Sequence, residues 1–221
     1  MEWRKLIYLL VIVFIGYLPY KTILRFRKNG LSSISLRLSF FMAAWFFVLS
    51  ALLILQTRNL FVNVSPLLVA GFGTTVAIWF AAPRILRRIG AYPTKILADN
   101  PKWYILRAET KTFFLKFCEV FFQQAKFAYL LFEVLGVMPL ISRVWWFTGI
   151  VGFLHVFNIL FVPSGWFFFL VSIPMGFLFS WLILAGHIVI TTTIHLWFYL
   201  ILVGWYWFRK FHVTMFRNMV T

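Results

Sequence analysis

The stretch FFLKFCEVFFQQAKFAYLLFEVLGVM, residues 113–138, is long and apolar enough to cross a membrane, yet it carries six polar side chains. Two of them, Glu119 and Glu133, are among only five acidic residues in the chain. Ionisable groups are costly within a bilayer, so they face the interior of a helix bundle or a water-filled cavity. We therefore take this segment as the helix that decides both the fold and the candidate site.

The polar residues of this segment form a narrow stripe. With Glu119 at zero on a helix of 100° per residue, Gln123 falls at about +40°, Lys126 at about −20° and Glu133 at about −40°. Gln124 alone points elsewhere. Two interpretations have equal weight: Lys126 pairs with both glutamates and locks helix packing, or the stripe lines a functional site.

The composition excludes a soluble domain. The 221-residue chain is 63% hydrophobic, with a mean hydropathy of +0.92, which is more apolar surface than a soluble core of this size can bury. Strict apolar/polar alternation is absent, so a barrel is not expected. A single cysteine, Cys118, excludes an internal disulfide and a multi-cysteine metal cluster, and we predict no cofactor.

The predicted fold is therefore an all-α, polytopic transmembrane helical bundle of about seven spans. The first 112 residues hold three helices and a cytoplasmic interfacial segment, and residues 113–221 hold a four-helix core and a cytoplasmic tail. The spans run near Leu6–Tyr20, Leu38–Leu55, Leu60–Ala82, Phe113–Met138, Val144–Val162, Gly165–Ala185 and His187–Phe208.

The basic residues predict an orientation. The loops Lys21–Arg37 and Arg84–Lys111 hold five and seven Lys/Arg and the C-terminal tail holds three, fifteen in all. The N-terminus holds two, and Arg58 and Arg143 add one each, so the opposite side has four. The positive-inside rule places the N-terminus outside and the C-terminus in the cytoplasm.

The net charge of +16 lies at the ends of apolar runs, which indicates anchoring to anionic lipid on the cytoplasmic side rather than binding to nucleic acid. Arg84–Lys111 mixes basic and bulky apolar residues. We expect short amphipathic helices in the interface, broken by Pro93 and Pro101; a solvated basic loop is the alternative.

Two histidines, His155 and His195, fall at mid-depth in the fifth and seventh spans. A lone histidine in a membrane helix is often a hydrogen-bonded packing residue. Two at similar depth beside a stripe of carboxylates favour a site, because neutral imidazole is well suited to proton transfer.

Three short motifs follow in order: QQAKFA at 123–128, GFLH at 152–155 and HLWFY at 195–199, with gaps of 32 and 40 residues between their polar positions. This set resembles the CAAX-protease and bacteriocin-processing (CPBP, or Abi) family of intramembrane proteases. That family carries Glu-Glu-x-x-x-Arg, then Phe-x-x-x-His, then His-x-x-x-Asn. WLILAG at 181–186 is similar to its turn into the last helix. The resemblance covers the last half of the chain and implies a CPBP-like core there.

The motif residues depart from the family pattern. In the family, a glutamate and the first histidine are thought to activate water, while the last motif is thought to hold the oxyanion. Here the glutamates are Gln123 and Gln124, the arginine is Ala128 and the asparagine is Tyr199. Glutamine cannot serve as a general base, because an amide has no proton affinity near neutral pH.

Three functions remain open. An active endopeptidase would use Glu119 as base, His155 as its partner and His195 to polarise the carbonyl of a membrane-protein substrate, with Gln123 and Tyr199 completing the site. A catalytically inactive relative would bind another membrane protein as a scaffold. A small transporter or proton-conducting subunit would use the same stripe. Glu119, His155 and His195 would also offer three ligands to a metal, although the implied mechanism does not require one.

The charge asymmetry yields the first testable expectation. Single cysteines introduced into a Cys118→Ala background should react with a membrane-impermeant maleimide from outside at the N-terminus. Those placed in the Arg84–Lys111 loop should react only after the membrane is permeabilised. Labelling of that loop in intact cells would reverse the orientation.

Overall fold

The computed structural model describes residues 2–26, 34–58, 60, 62, 66–88, 109–161 and 165–201, and these residues form helices joined by turns, with no strand among them. A helix lies at each of the seven predicted segments. The helices are α1 (Trp3–Phe26), α2 (Leu36–Gln56), α3 (Pro66–Arg88), α4 (Thr110–Tyr129), α5 (Leu140–Phe161), α6 (Gly165–Leu184) and α7 (Ile188–Ile201).

Among the described residues, three helical segments are long and apolar enough to cross a membrane: Trp3–Ile23, Leu36–Gln56 and Trp166–Leu184. Shorter apolar helices cover Val69–Ala82, Leu140–Val156 and Ile188–Ile201. The all-helical prediction is confirmed, and the three segments fit a membrane protein by length and composition, while the count of seven spans stays a prediction. The interfacial helices expected between Pro93 and Pro101 and the C-terminal tail lie outside the described residues.

Helix α4 is the centre of the bundle. It packs along α2, and it also contacts α1, α3, α5, α6 and α7. Aromatic rings form much of this packing, with centroids 5.1 to 5.6 Å apart: Phe122 with Phe46 of α2, Phe113 with Trp79 of α3, and Phe127 with Phe147 of α5. Three members of the predicted stripe, Glu119, Gln123 and Lys126, therefore lie on the central helix.

A glycine sets the approach of α1 to α4. A Cβ at Gly16 would lie 2.7 Å from the ring of Phe122, so a larger residue would push the two helices apart. This close approach brings the next residue, Tyr17, against α4, where its ring packs on Phe46 and Phe122.

The C-terminal end of α4 widens into a π-helical turn, Leu130–Val134. The N–H of Leu135 donates to the carbonyl of Leu130 at 2.9 Å, which is the i to i+5 bond of a π-helix. Arg143 of α5 closes the following turn by donating to the carbonyls of Gly136 and Met138 at 2.7 and 2.9 Å. The turn therefore fixes the start of α5 against the end of α4.

A second tight turn joins α6 to α7. Gly186 has φ 82°, a left-handed conformation that glycine adopts without a steric penalty. The N–H groups of Gly186 and His187 donate to the carbonyls of Ile183 and Leu182 at 3.0 and 2.7 Å, the pair of bonds of a Schellman motif. The chain reverses at once, so α7 returns along the bundle and carries His195 to α4.

Helices α5 and α6 meet at a small residue. A Cβ on Gly176 would lie 3.1 Å from the Cα of Thr148, whereas Gly149 on α5 has nothing within 4 Å of the same position. We expect Gly176→Leu to lower the free energy of unfolding by about 1–3 kcal/mol, because the added atoms meet backbone. The matched variant Gly149→Leu should change it little.

Thermal unfolding of both variants in detergent micelles would measure the difference. Equal losses for the two substitutions would contradict the close packing of α5 and α6 at Gly176.

Candidate functional site

Polar side chains of α1 and α7 contact the polar side chains of α4. We call them the polar cluster, and its members are Tyr17 of α1, Lys116, Glu119, Gln123, Gln124 and Lys126 of α4, and His195 and Tyr199 of α7. The cluster has a fully buried part and a half-buried part.

The buried part contains an ion pair between Lys116 and Glu119. The Lys116 Nζ lies 2.6 Å from the Glu119 Oε2, one turn along α4, and the side chains are only 2% and 8% exposed. The same ammonium lies 4.2 Å from the centre of the Tyr199 ring, in the geometry of a cation–π contact. Burial of two charges is costly unless they are paired and hydrogen-bonded, so the short distance is what makes this position tolerable.

Helix α7 presents two rings to α4. His195 and Tyr199 are four residues apart and therefore share a face, and their rings stack with centroids 5.6 Å apart and planes 9° from parallel. The Nδ1 of His195 lies 3.1 Å from the Nε2 of Gln124. Because the amide NH₂ is the donor, Nδ1 accepts, and a neutral His195 carries its proton on Nε2.

Gln124 is fully buried and only partly satisfied. Its Oε1 has no hydrogen-bond partner within the described part of the chain, although its amide nitrogen contacts His195. Gln124 is therefore the residue of the QQAKFA stretch that contacts His195 of α7.

Helix α1 supplies the other side of the cluster. The Lys126 Nζ donates to the Tyr17 hydroxyl at 3.1 Å and lies 4.5 Å from the centre of the Tyr17 ring. The amide of Gln123 interacts with the hydroxyls of both Tyr17 and Tyr199. Gln123 thus interacts with a tyrosine from α1 and a tyrosine from α7.

His155 stands at the edge of this cluster. It is half-buried on α5, and its Nδ1 lies 2.8 Å from the carbonyl oxygen of Val151 one turn earlier. Nδ1 therefore carries a proton, and a neutral ring keeps its lone pair on Nε2. His155 lies near enough to His195 for the two rings to interact electrostatically.

The structure separates Glu133 from the predicted stripe. Its carboxylate lies 2.9 Å from the Lys5 Nζ and accepts the N–H of Arg58 at 2.5 Å, so it ties α1 and the end of α2 to the end of α4. The stripe prediction was wrong at this residue because Glu133 lies in the π-helical turn, where the spacing of 100° per residue no longer holds.

The proposed lock through Lys126 was also wrong. The two glutamates form their ion pairs with Lys116 and Lys5, and Lys126 bonds to Tyr17 instead. The metal alternative is not supported either, because no three His, Cys, Asp or Glu side chains lie together as ligands among the residues described.

Sequence reasoning missed Tyr17 as a member of the cluster. No residue pattern on α1 marks it, since its place depends on the close approach at Gly16. Lys116, in contrast, stands three residues before Glu119, a spacing at which side chains on a helix meet. That pairing was available from the sequence alone.

Comparison with known proteins adds no identification: no protein-family model, no curated protein and no solved structure matches this chain.

The ion pair can be tested with a double-mutant cycle. Lys116→Met and Glu119→Gln should each lower the free energy of unfolding by about 3–5 kcal/mol, because each weakens or removes the partner of a buried charge. The double variant Lys116→Met/Glu119→Gln should lose less than either single change, since no charge is left behind. Chemical unfolding in detergent provides the measurement.

Lys111→Met provides a control, because that side chain is 25% exposed and pairs with Glu109 at 3.6 Å. Its loss should cost about 1 kcal/mol or less. Losses that simply add in the Lys116/Glu119 double variant would show that the two side chains do not act as a pair.

Proposed function

We propose that this chain is a CPBP-like integral membrane protein that has lost hydrolytic activity and binds a ligand or partner within its helix bundle. The observation that carries this proposal is the 2.6 Å ion pair between Lys116 and Glu119. A general base must reach a water molecule with a lone pair, and Lys116 already occupies Glu119 Oε2. A catalytic water would compete with an ammonium for this carboxylate.

The glutamine positions support the same conclusion. Gln124 contacts His195 directly, at the place where the family resemblance implies a carboxylate. An amide can hold and orient the imidazole, but it cannot take a proton from water at neutral pH. Gln124 therefore holds His195 by a hydrogen bond but cannot act as a general base.

The CPBP-like part of the proposal is supported by the placement of the motifs. The first motif lies on α4, the second on α5 and the third on α7, and side chains from the first and third are in contact. His155 of the second motif interacts electrostatically with His195 of the third. One contact therefore joins the first and third motifs, and the second motif lies within electrostatic reach of the third, which supports the proposal.

An active intramembrane endopeptidase is the second candidate. The nearness of His155 and His195 favours it, since two imidazoles beside a carboxylate have the groups needed for acid–base chemistry. In that case Glu119 would have to leave Lys116 when substrate enters. The transporter hypothesis has less support, because α6, which contains Pro174, continues as one helix from Gly165 to Leu184 rather than breaking.

The proposed orientation keeps the N-terminus outside and the C-terminus in the cytoplasm, with anionic lipid bound at the basic end. The contacts of Glu133 bring the start of α1, the end of α2 and the end of α4 to one end of the bundle. The bond from Ser39 Oγ to the Lys111 carbonyl brings the starts of α2 and α4 to the other end. Helix α1 therefore runs antiparallel to α2 and α4, which run parallel to each other. These directions agree with helices that cross the membrane alternately.

Hydrolysis can be tested in proteoliposomes. The parent chain would be mixed with a panel of synthetic transmembrane peptides, and products would be identified by mass spectrometry. We expect no cleavage by the parent chain, by Glu119→Gln or by His155→Ala, because Lys116 already holds the carboxylate that would have to act as the base. Lys111→Gln serves as the matched control outside the cluster.

The opposite result is equally clear. Cleavage by the parent chain and by Lys111→Gln, with loss in both Glu119→Gln and His155→Ala, would establish the endopeptidase instead. Gln123→Glu/Gln124→Glu, which restores the pair of glutamates implied by the resemblance, would show whether these two positions alone control activity.

A further inference from the structure

The two lysines of the polar cluster differ in their partners. Lys116 is 2% exposed and paired with a carboxylate. Lys126 is half-buried, and within the described part of the chain its ammonium contacts a hydroxyl and the rings of Tyr17 and Phe122 but forms no ion pair. An ammonium has three N–H donors, and one of them is directed at Tyr17. Lys126 therefore has further N–H donors, and part of its side chain is accessible to a ligand.

The polar groups beside Lys126 are also partly accessible. Tyr17, Gln123, His195 and Tyr199 are all half-buried, although the residues behind them are fully buried. Polar side chains on membrane helices face the bundle interior or a water-filled cavity. The half-buried groups here are hydroxyl, amide and imidazole groups, which can all be neutral, and Lys126 is the half-buried cation among them.

The charges of the cluster are unequal. It contains two ammonium groups, Lys116 and Lys126, and one carboxylate, Glu119, which pairs with Lys116 and also acts electrostatically on Lys126. The cluster therefore has one positive charge in excess, which a ligand with one negative charge would balance. A second negative charge would have no cation among these members, and a neutral ligand would leave the ammonium uncompensated.

We infer that Lys126 binds the acidic head of a monoanionic amphiphile, a long-chain carboxylate whose apolar chain lies among the helices. This inference rests on the proposed function of binding without hydrolysis and names the ligand class. The Lys126 ammonium donates to a ligand oxygen, and the Gln123 amide and the Tyr17 hydroxyl provide further donors nearby. The apolar chain is required because the site lies within a bundle of apolar helices.

Binding can be measured with the full-length chain in nanodiscs of neutral phosphatidylcholine, with protein-free discs as the blank. Radiolabelled oleate is the probe, and unlabelled oleate, oleyl phosphate and oleyl alcohol are the competitors. We expect saturable binding of oleate that oleate displaces and that neutral oleyl alcohol does not. Oleyl phosphate, which carries more than one negative charge near neutral pH, should displace oleate less well than unlabelled oleate does.

Variants locate the site. Lys126→Gln should weaken oleate binding by about tenfold or more, because it removes a charge-assisted hydrogen bond, whereas Lys126→Arg should retain most of the affinity. Tyr17→Phe keeps the ring and removes the hydroxyl, so a few-fold loss is expected and the packing of α1 is preserved. Lys111→Gln, outside the cluster, should bind as the parent chain does.

Equal displacement by oleyl alcohol would overturn the inference, because the apolar chain alone would then account for binding. Unchanged affinity in Lys126→Gln, or an equal loss in Lys111→Gln, would overturn it as well. If Lys126→Gln does not fold, the test uses Lys126→Arg and Tyr17→Phe instead. Full affinity in Tyr17→Phe together with complete loss of affinity in Lys126→Arg would contradict a site that binds through charge. Oleate binding by a chain that also cleaves peptides would contradict the proposed function and leave this site standing.

Discussion

The buried ion pair between Lys116 and Glu119 is the interaction on which the rest of this bundle depends. Helix α4 lies at the centre of apolar helices, where an unpaired charge costs several kcal/mol, on the order of the whole stability of a small domain. At 2.6 Å each charge compensates the other, and the ring of Tyr199 covers the ammonium from α7. A helix with this many polar groups can therefore occupy the most enclosed position.

Two tyrosines, Tyr17 and Tyr199, connect the polar stripe of α4 to the neighbouring helices. Tyr17 and Tyr199 each have an apolar ring that packs and a hydroxyl that hydrogen-bonds, so they join the polar stripe of α4 to its apolar surroundings. Tyr17 packs on Phe46 and Phe122 and accepts a hydrogen bond from Lys126. The two tyrosines thus pack α1 and α7 against the polar stripe of α4. The polar cluster therefore also connects these three helices.

Much of this arrangement is predictable from the sequence because it follows helical periodicity. The apolar runs predict the helices, and spacing of 100° per residue places Glu119, Gln123 and Lys126 on one face and Gln124 on another. Periodicity fails at Glu133, since the i to i+5 bond from Leu135 to Leu130 has no signature in the residue pattern. It also says nothing of Tyr17, whose place depends on contact between distant segments. Local geometry is readable from sequence, whereas helix-to-helix contacts are set by the whole packing.

The positions that resemble the CPBP motif have only neutral side chains in this chain: Gln123, Gln124 and Ala128. An arginine alone, or carboxylates alone, at these positions would be buried charges without partners. Three neutral groups avoid that cost, and Gln124 bonds to His195. A site rebuilt for hydrolysis would need a new free base, whereas this cluster places its half-buried cation, Lys126, at its accessible side. The cluster is therefore better suited to recognising an anion than to activating water.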